Sequence, residues 1–232
     1  MRTILLALIY AVLVVCLTIL LLLFWPFGVR EPLLGFGKWA MRLGFAVLGV
    51  KIAVTGREQI DKKAAYIFMA NHLSFLDGPM LFMLIPQSIR VILKKEVFRL
   101  PVVGQGMRFV GFVPVDRKRI RGGKKSIDLA ARLMREKRYS YLIFPEGTRS
   151  RDGRTQAFKR GGFFLAQESR AAVVPVSIRG TFELMPRGTV FTKRGEVKVA
   201  FHSPVSVLGY DQSNMQLLID KVRGVIESGL KA

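Results

Sequence analysis

Apolar residues fill the beginning of the chain almost without interruption. No charged side chain occurs from position 3 to position 29, and Thr18 is the only clearly polar residue within 4–24. A helix over 4–24 would be roughly 31 Å long at 1.5 Å per residue, which matches a hydrocarbon core of about 30 Å. We therefore predict a transmembrane helix at 4–24. A cleaved signal peptide is the alternative, but its apolar core spans only ~7–15 residues and a small-residue cleavage site would follow it.

A second apolar stretch, residues 31–50, carries charge on one side. Lys38 and Arg42 are four positions apart and share one helical face, so both cations can reach the water–lipid interface. The pattern favours an interfacial or re-entrant helix, with a second crossing as the alternative. More basic residues follow the first apolar stretch than precede it, which places the remaining chain on the cytoplasmic side of the inner membrane. We assign residues 1–50 to a membrane anchor.

The remaining residues, 51–232, alternate between two kinds of apolar pattern. Nearly continuous or alternating short runs are typical of strands, and apolar positions three or four apart are typical of helices. The predicted strands are residues 65–70, 89–94, 139–144, 173–178 and 196–202, and the predicted helices are 126–137, 161–170 and 213–227. Strands separated by helices indicate an α/β domain with a central, mostly parallel sheet flanked by helices. No internal repeat or linker divides 51–232, so we treat it as one domain.

Composition narrows the possible chemistry. The chain carries 37 Lys and Arg against 16 Asp and Glu, a formal charge of +21, although half of its residues are hydrophobic. This combination favours a membrane surface or an acidic ligand and disfavours disorder. One cysteine excludes a disulfide framework or a Cys-based zinc site within the chain, and two histidines leave little room for a His-rich metal centre. We expect no metal and no bound cofactor.

The residues after the first predicted strand include a histidine and a carboxylate. His72 and Asp77 are five positions apart, so they do not share a helical face but can meet if a turn lies between them. A carboxylate bound to one imidazole nitrogen fixes the tautomer and leaves the other nitrogen to act as a base. The alternative is that both residues only cap a helix. The other histidine, His202, ends an alternating strand, and we expect a structural or surface role for it.

Two basic regions could hold an anion. The loop after the third predicted strand reads Pro-Glu-Gly-Thr-Arg, and Arg149 in this loop offers a planar guanidinium beside freed backbone N–H groups. A surface turn with a Glu146–Arg149 ion pair is the alternative. Residues 90–125, which include Lys94 and Arg117, hold 11 basic side chains and two acidic ones. This region is either a solvated basic face or a site for phosphate or anionic lipid.

Four sequence blocks together resemble one protein family. The blocks are NHLSFLD at 71–77, KKEVFRLPVVGQGMRFVGFVPVDR at 94–117, FPEGTRS at 144–150 and VVPVSIRG at 173–180. They are similar in sequence and order to those of the glycerolipid acyltransferases, and the resemblance covers about residues 51–210. A single His-x-x-x-x-Asp spacing is weak evidence, whereas four blocks in family order are specific. The resemblance therefore favours functional roles for His72 and Asp77 over helix capping.

The resemblance implies transfer of a fatty acyl chain from acyl-CoA or acyl carrier protein to the sn-2 hydroxyl of lysophosphatidic acid, which gives phosphatidic acid. It assigns the general base to His72, oriented by Asp77. It assigns the acceptor's phosphate to the cations Lys94, Arg117 and Arg149. It assigns the acceptor-binding loop to Glu146, Gly147 and Thr148. The only cysteine, Cys16, lies in the predicted anchor, so transfer would not pass through a cysteine-bound acyl group.

Two other functions are open at this stage. The same chemistry could use another acceptor, such as a different lysophospholipid, a lyso-ornithine lipid or glycerol-3-phosphate, because acceptor choice depends on pocket details. A membrane-tethered nucleic-acid-binding protein would also be basic, but it would show a charge-rich tail or a basic face interleaved with aromatic residues. Here the cations lie within the apolar blocks. We therefore expect membrane lipids, lysophosphatidic acid and the acyl donor as partners, and no nucleic acid.

Overall fold

The computed structural model describes residues 2–115 and 120–231, with side chains for 8–115 and 123–231. The helices in this part of the chain are α1 (Arg2–Phe24), α2 (Glu31–Leu48), α3 (Asp77–Leu84), α4 (Val103–Phe109), α5 (Ile120–Lys137), α6 (Gly161–Ser169), α7 (Thr181–Leu184) and α8 (Met215–Lys231). The strands are β1 (Val50–Thr55), β2 (Ile67–Ala70), β3 (Ile89–Lys94), β4 (Val113–Val115), β5 (Ser140–Ile143), β6 (Val173–Arg179) and β7 (Gly195–Phe201).

The strands described here form one sheet with β2 at its centre. Their order is β1-β7-β6-β2-β5-β3-β4, and every neighbouring pair is parallel except β6 and β7. Ile67 of β2 pairs with Tyr141 of β5 on one side and with Val173 of β6 on the other. Because β2, β3, β5 and β6 run in the same direction, their carboxyl ends share one edge of the sheet. The predicted α/β class with a mostly parallel sheet is confirmed.

Helices cover both faces of this sheet. On one face, Phe68 and Ala70 of β2 belong to a core with residues of α2 and α3, and on the other face Ile67 and Met69 belong to a core with α5, α6 and α8. All four side chains are fully buried. Burial on both faces explains why β2 is a continuous apolar run in the sequence and does not alternate.

Helix α1 covers the predicted anchor segment and packs on the folded chain. Leu21 is buried beside α2 and α4, and Trp25 stacks on Phe109 with 4.8 Å between ring centroids. The other side of α1 exposes large apolar side chains, which are Leu8, Tyr10, Val12, Val15, Ile19, Leu22 and Leu23. Among the residues whose side chains the structure describes, no helix has both the length and the apolar character needed to cross a membrane. The predicted transmembrane helix at 4–24 is therefore not confirmed.

The structure differs from the predicted elements mainly in its short helices and strands. The sequence pattern does not predict β1, β4, α3, α4 or α7. Strand β4 has only three residues, which is too short for a clear pattern. Helix α3 contains Gly78 and Pro79, which usually indicate a turn, but proline also fits the first turn of a helix. Helix α2 ends at Leu48, earlier than predicted, because Gly49 adopts a left-handed φ of 69°.

Candidate active site

The residues after β2 form a tight loop around Asp77. His72 Nδ1 lies 2.9 Å from Asp77 Oδ2, and the same oxygen accepts the backbone N–H groups of Leu73 at 2.7 Å and Ser74 at 2.8 Å. The Asp77 side chain is fully buried, whereas 19% of the His72 side chain is exposed. Because Asp77 Oδ2 already accepts two backbone N–H groups, we treat it as the acceptor from the ring as well and assign the imidazole hydrogen to Nδ1. This tautomer leaves the Nε2 lone pair to act as a base.

Asp77 is the first residue of α3 but does not cap that helix. Leu76 occupies the N-cap position, and the Asp77 carboxylate bonds to the preceding loop and not to helical N–H groups. Its other oxygen, Oδ1, is buried without a hydrogen-bond partner in the described part of the chain. His72 and Asp77 therefore meet across a turn, and the capping alternative does not describe the arrangement found.

Two buried polar side chains tie this loop to neighbouring elements. The Asn71 amide donates to the carbonyl of Ile178 at 2.9 Å and accepts the N–H of the same residue at 2.8 Å. Ser74 Oγ donates to the carbonyl of Met185 at 2.7 Å. Both residues are fully buried, so their hydrogen bonds replace those lost to water. The loop that carries His72 is thus fixed to the end of β6 and to the residues after α7.

Glu146 holds the loop after β5 against the loop after β2. Its Oε1 accepts the backbone N–H of His72 at 2.8 Å, and its Oε2 accepts the backbone N–H of Gln156 at 3.0 Å. Glu146 is 2% exposed, and burial raises the pKa of its carboxyl from 4.5 to about 7. The carboxylate faces backbone N–H groups of two loop segments, and the acceptor-binding role that the family resemblance implies for this loop stays a prediction. The Glu146–Arg149 ion pair, considered above as an alternative, is likewise not the arrangement of this side chain.

The imidazole ring of His72 also has a fixed plane. It stacks on Phe144 with 4.0 Å between ring centroids and 17° between the planes. The backbone of the same two loops is joined again where the Ser150 N–H donates to the His72 carbonyl at 2.8 Å. Ring stacking, the Asp77 hydrogen bond and the backbone contacts together orient Nε2.

A cavity of about 920 Å³ opens beside His72. Its polar end is lined by His72, Gly147, Arg149 and Lys159. Its remaining walls are mostly apolar and include residues of α1, α2, α3, α4, α5, α6 and β3, with Leu13, Leu17, Phe36, Val91, Met107 and Val110 among them. The cavity therefore suits a ligand with one charged end and a long apolar part.

Two cations line the polar end of the cavity. Arg149 is half-buried, and its carbonyl accepts a hydrogen bond from Arg187 Nη1 at 3.1 Å. Lys159 lies over Gly147, so that a Cβ at Gly147 would be 2.9 Å from Lys159 Nζ. The sequence pattern does not single out Lys159. Its position two residues before the predicted helix 161–170 is the available signal, because helix N-termini favour anions.

Two other predicted residues, Lys94 and Thr148, are absent from the cavity lining. Lys94, at the end of β3, has a side chain that is 55% exposed and a Nζ 3.7 Å from Glu96 Oε2, and it does not line the cavity. The Thr148 carbonyl accepts a hydrogen bond from Gln156 Nε2 at 3.3 Å, and this residue does not line the cavity either. Arg117 lies outside the described residues. The structure thus brings His72, Asp77, Gly147 and Arg149 together, whereas Lys94 and Thr148 are not among the residues that line the cavity.

His202 lies away from this cavity. Its Nε2 is 2.8 Å from Ser177 Oγ, which in turn donates to the carbonyl of Ile226 in α8 at 2.7 Å. Burial lowers the pKa of His202, so the ring is neutral in the fold at neutral pH. Within the described residues no group of three or more His, Cys, Asp or Glu side chains could hold a metal ion.

The fold and these loops define an acyltransferase. The family model described as acyltransferase matches residues 51–179, which is more than half of the chain, and the chain therefore belongs to this family. The resemblance to glycerolipid acyltransferases is confirmed. A crystal structure of PlsC, the 1-acyl-sn-glycerophosphate acyltransferase of Thermotoga maritima, is similar over 100% of this chain and 97% of that chain, with a TM-score of 0.73 and 25% sequence identity.

Curated relatives carry one recurring name, 1-acyl-sn-glycerol-3-phosphate acyltransferase. The protein of Borreliella burgdorferi is 33% identical over 183 residues, which are 77% of this chain and 72% of that protein. The protein of Cocos nucifera is 30% identical over 207 residues, 89% of this chain and 66% of that protein. The chloroplastic LPAT1 of Arabidopsis thaliana is 38% identical over 161 residues, 67% of this chain and 44% of that protein. The matched region spans less than two thirds of the Cocos and Arabidopsis proteins.

Proposed function

We propose that the protein transfers a fatty acyl chain from a thioester donor to the sn-2 hydroxyl of 1-acyl-sn-glycerol 3-phosphate, which gives phosphatidic acid. The observation that carries the proposal is the position of the His72–Asp77 pair, with Arg149 beside it, at the polar end of one large apolar cavity. The names of the relatives support the choice of acceptor.

His72 acts as the general base in this reaction. Its Nε2 takes the proton of the acceptor hydroxyl while the hydroxyl oxygen attacks the thioester carbonyl carbon. The carbon–sulfur bond then breaks, and the leaving thiolate takes the proton back from His72, so protons and electrons balance over the cycle. Base assistance of this kind contributes about 10²–10⁴-fold. Asp77 stabilises the imidazolium that forms in between and keeps Nε2 directed at the cavity.

Arg149 and Lys159 bind the phosphate of the acceptor. A guanidinium offers paired N–H donors that match phosphate oxygens, and an ammonium adds a second positive charge. Both side chains line the cavity on the side of Gly147, whose lack of a Cβ leaves room for Lys159. Lys94 and Arg117 are further candidates on the basis of the family resemblance.

The apolar walls of the cavity hold an acyl chain and exclude water. Hydrolysis of the thioester competes with transfer, so a dry cavity protects the donor until the acceptor hydroxyl is in place. The acyl donor is acyl-CoA or acyl carrier protein, both of which are acidic and suit a chain with a formal charge of +21. Donors of either kind are co-substrates, and no bound cofactor is needed.

The enzyme acts at the cytoplasmic face of the inner membrane. Helices α1 and α2 and the turn after α1 expose apolar side chains, including Trp25 at 50% and Trp39 at 52%, and indole rings favour the membrane interface. The acceptor and the product both carry long acyl chains and reside in a bilayer. An anchor formed by these helices would bring the cavity to its substrates.

A direct test is transfer of radiolabelled acyl chains by the purified full-length protein, with acyl-CoA and acyl carrier protein compared as donors. The acceptor panel contains lysophosphatidic acid, lysophosphatidylcholine, a lyso-ornithine lipid and glycerol-3-phosphate. We expect phosphatidic acid as the main product and loss of product with His72→Ala. Preference for another acceptor would replace lysophosphatidic acid in the proposal but retain the chemistry. Unchanged turnover by His72→Ala would remove the base assignment.

A further inference from the structure

The segment between α7 and β7 exposes apolar and basic side chains together. Within this segment, the 186–194 loop, Val190 is 80% exposed and Phe191 is 73% exposed. Arg187, Lys193 and Arg194 are exposed too, and the loop contains no acidic residue. Isolated exposed apolar side chains are ordinary, but an adjacent pair flanked by three cations marks a contact surface.

Hydrogen bonds at its base hold the tip of the loop away from the core. The Lys193 N–H donates to the carbonyl of Leu184 at 2.9 Å, and the Thr189 N–H donates to the carbonyl of Pro186 at 3.2 Å. The apolar pair lies between these two contacts in the sequence. Its exposure is therefore part of the fold of the loop, and the loop presents a convex apolar tip and not a groove.

The 186–194 loop lies at the same edge of the sheet as the candidate active site. It follows the carboxyl end of β6, and β7 starts at that edge because β7 is antiparallel to β6. Arg187 Nη1 donates to the Arg149 carbonyl at 3.1 Å, and the Arg194 side chain packs over Gly49 at the end of α2. The loop thus links the rim of the cavity to the α1–α2 pair.

We propose that the 186–194 loop docks the candidate active site onto an anionic phospholipid bilayer. Val190 and Phe191 enter the boundary between headgroups and acyl chains, and Lys193 and Arg194 lie against the anionic headgroups. A convex apolar tip with flanking cations matches a soft, planar, anionic surface, whereas an acidic protein partner would require a complementary fixed surface. This inference concerns a surface outside the cavity and does not depend on which acceptor the enzyme uses.

The test measures the depth of the loop tip in full-length protein reconstituted into vesicles. Phe191→Cys is labelled with a polarity-sensitive dye in a Cys16→Ala background, and Leu217→Cys on α8, at a residue 64% exposed, is the matched control. The vesicles contain phosphatidylcholine and phosphatidylglycerol with a spin-labelled lipid as quencher. We expect a blue shift and strong quenching at 191 and neither change at 217. Equal quenching at the two positions would overturn the proposal.

The charge of the bilayer provides a second measurement. A headgroup contact predicts that Lys193→Gln combined with Arg194→Gln weakens dye insertion by about fivefold per charge lost, because a basic residue near an anionic surface contributes about 1 kcal/mol. Replacement of phosphatidylglycerol by phosphatidylcholine should reduce insertion of the unchanged loop in the same direction. If insertion of the dye were the same after the charge substitutions and after the change of lipid, the role given to the cations would be contradicted.

Transfer assays separate a bilayer from an acidic protein partner. Val190→Ser combined with Phe191→Ser should lower transfer to long-chain acceptor in vesicles by about tenfold and leave transfer to a short-chain, water-soluble acceptor unchanged. Leu217→Ser should change neither. Loss of transfer only from acyl carrier protein, without quenching at 191, would show that the loop binds the acidic donor and would refute bilayer docking. Absence of any transfer would refute the proposed function, while the quenching result would still decide the role of the loop.

Discussion

The backbone N–H of His72 donates to the carboxylate of Glu146 at 2.8 Å, while the imidazole of the same residue bonds to Asp77 at 2.9 Å. His72 is therefore held at both ends, its backbone by the loop after β5 and its ring by its own loop. These contacts make Glu146 a positioning residue that acts through His72.

Substitution of Glu146 by Gln should change how stability depends on pH. The pKa of Glu146 is raised from 4.5 to about 7 by burial, so its contribution is fully present below pH 4.5 and is lost as the pH rises through 7. Gln does not ionise and has no such loss. The difference in unfolding free energy between Glu146→Gln and the unchanged protein should therefore shift in favour of the variant by up to about 3 kcal/mol between pH 4.5 and 8. Urea unfolding over this pH range measures it.

Two further variants separate this effect from others. Glu136→Gln, at an exposed position of α5, is the matched control for the loss of one carboxylate. Glu146→Ala leaves the partly buried N–H groups of His72 and Gln156 without their acceptor and should lower kcat more than Glu146→Gln, which keeps one acceptor oxygen. A flat pH profile for Glu146→Gln relative to the unchanged protein would contradict the assigned pKa.

Loss of either member of the His72–Asp77 pair should abolish most of the transfer. His72→Ala removes the base, and Asp77→Asn removes the charge that stabilises the imidazolium, so each should lower kcat by about 10²–10⁴-fold. Because the two residues act as one unit, the double variant should be no slower than His72→Ala by itself. Single-turnover rates with saturating acceptor measure this. His202→Gln, which changes the other histidine of the chain, should retain transfer. If the rate losses of the two single variants multiplied in the double variant, the two residues would not act as one unit.

Arg149→Ala and Lys159→Ala should mainly raise the KM for an acceptor that carries a phosphate. Each change removes a charge-assisted contact, for which a rise of about 10–100-fold is expected, with little effect on the KM for the thioester. Arg151→Ala and Arg160→Ala are matched controls, because both side chains are basic, exposed and absent from the cavity wall. An unchanged KM for lysophosphatidic acid in both test variants would place the phosphate at another group of cations.

The sequence predicts β2, β5 and β6 well because strands buried on both faces must be apolar at every position. The apolar pattern does not predict helix α3, because Gly78 and Pro79 are typical of turns as well as of the start of a helix. For helix α1, the sequence predicts the helix but not the side on which it packs. A uniformly apolar helix has no preferred face in its sequence, so the pattern does not reveal that Leu21 packs on α4 while Leu22 is exposed.

Some residues of the candidate active site can be predicted from the sequence and others cannot. His72 and Asp77 are near in sequence, and a single turn is enough to join them, so spacing and family resemblance together identify the pair. Lys159 is 14 positions from Pro145 in the sequence, but its backbone N–H donates to the carbonyl of Pro145 at 2.8 Å and its side chain lies over Gly147. The inward direction of the Glu146 carboxylate likewise depends on backbone N–H groups that no side-chain pattern reports.

Two glycines of α8 should respond in opposite ways to alanine. A Cβ at Gly224 would meet nothing within 4 Å, so Gly224→Ala should gain helix propensity and stabilise the fold by about 1 kcal/mol. A Cβ at Gly229 would lie 2.6 Å from His202 Nε2 and closer still to Ser177 Oγ. Gly229→Ala must displace the side chains of Ser177 and His202, and overpacking of this kind costs about 1–3 kcal/mol. Urea midpoints of the two variants measure the contrast, and equal stabilisation by both would show that α8 does not approach Ser177 as closely as the structure places it.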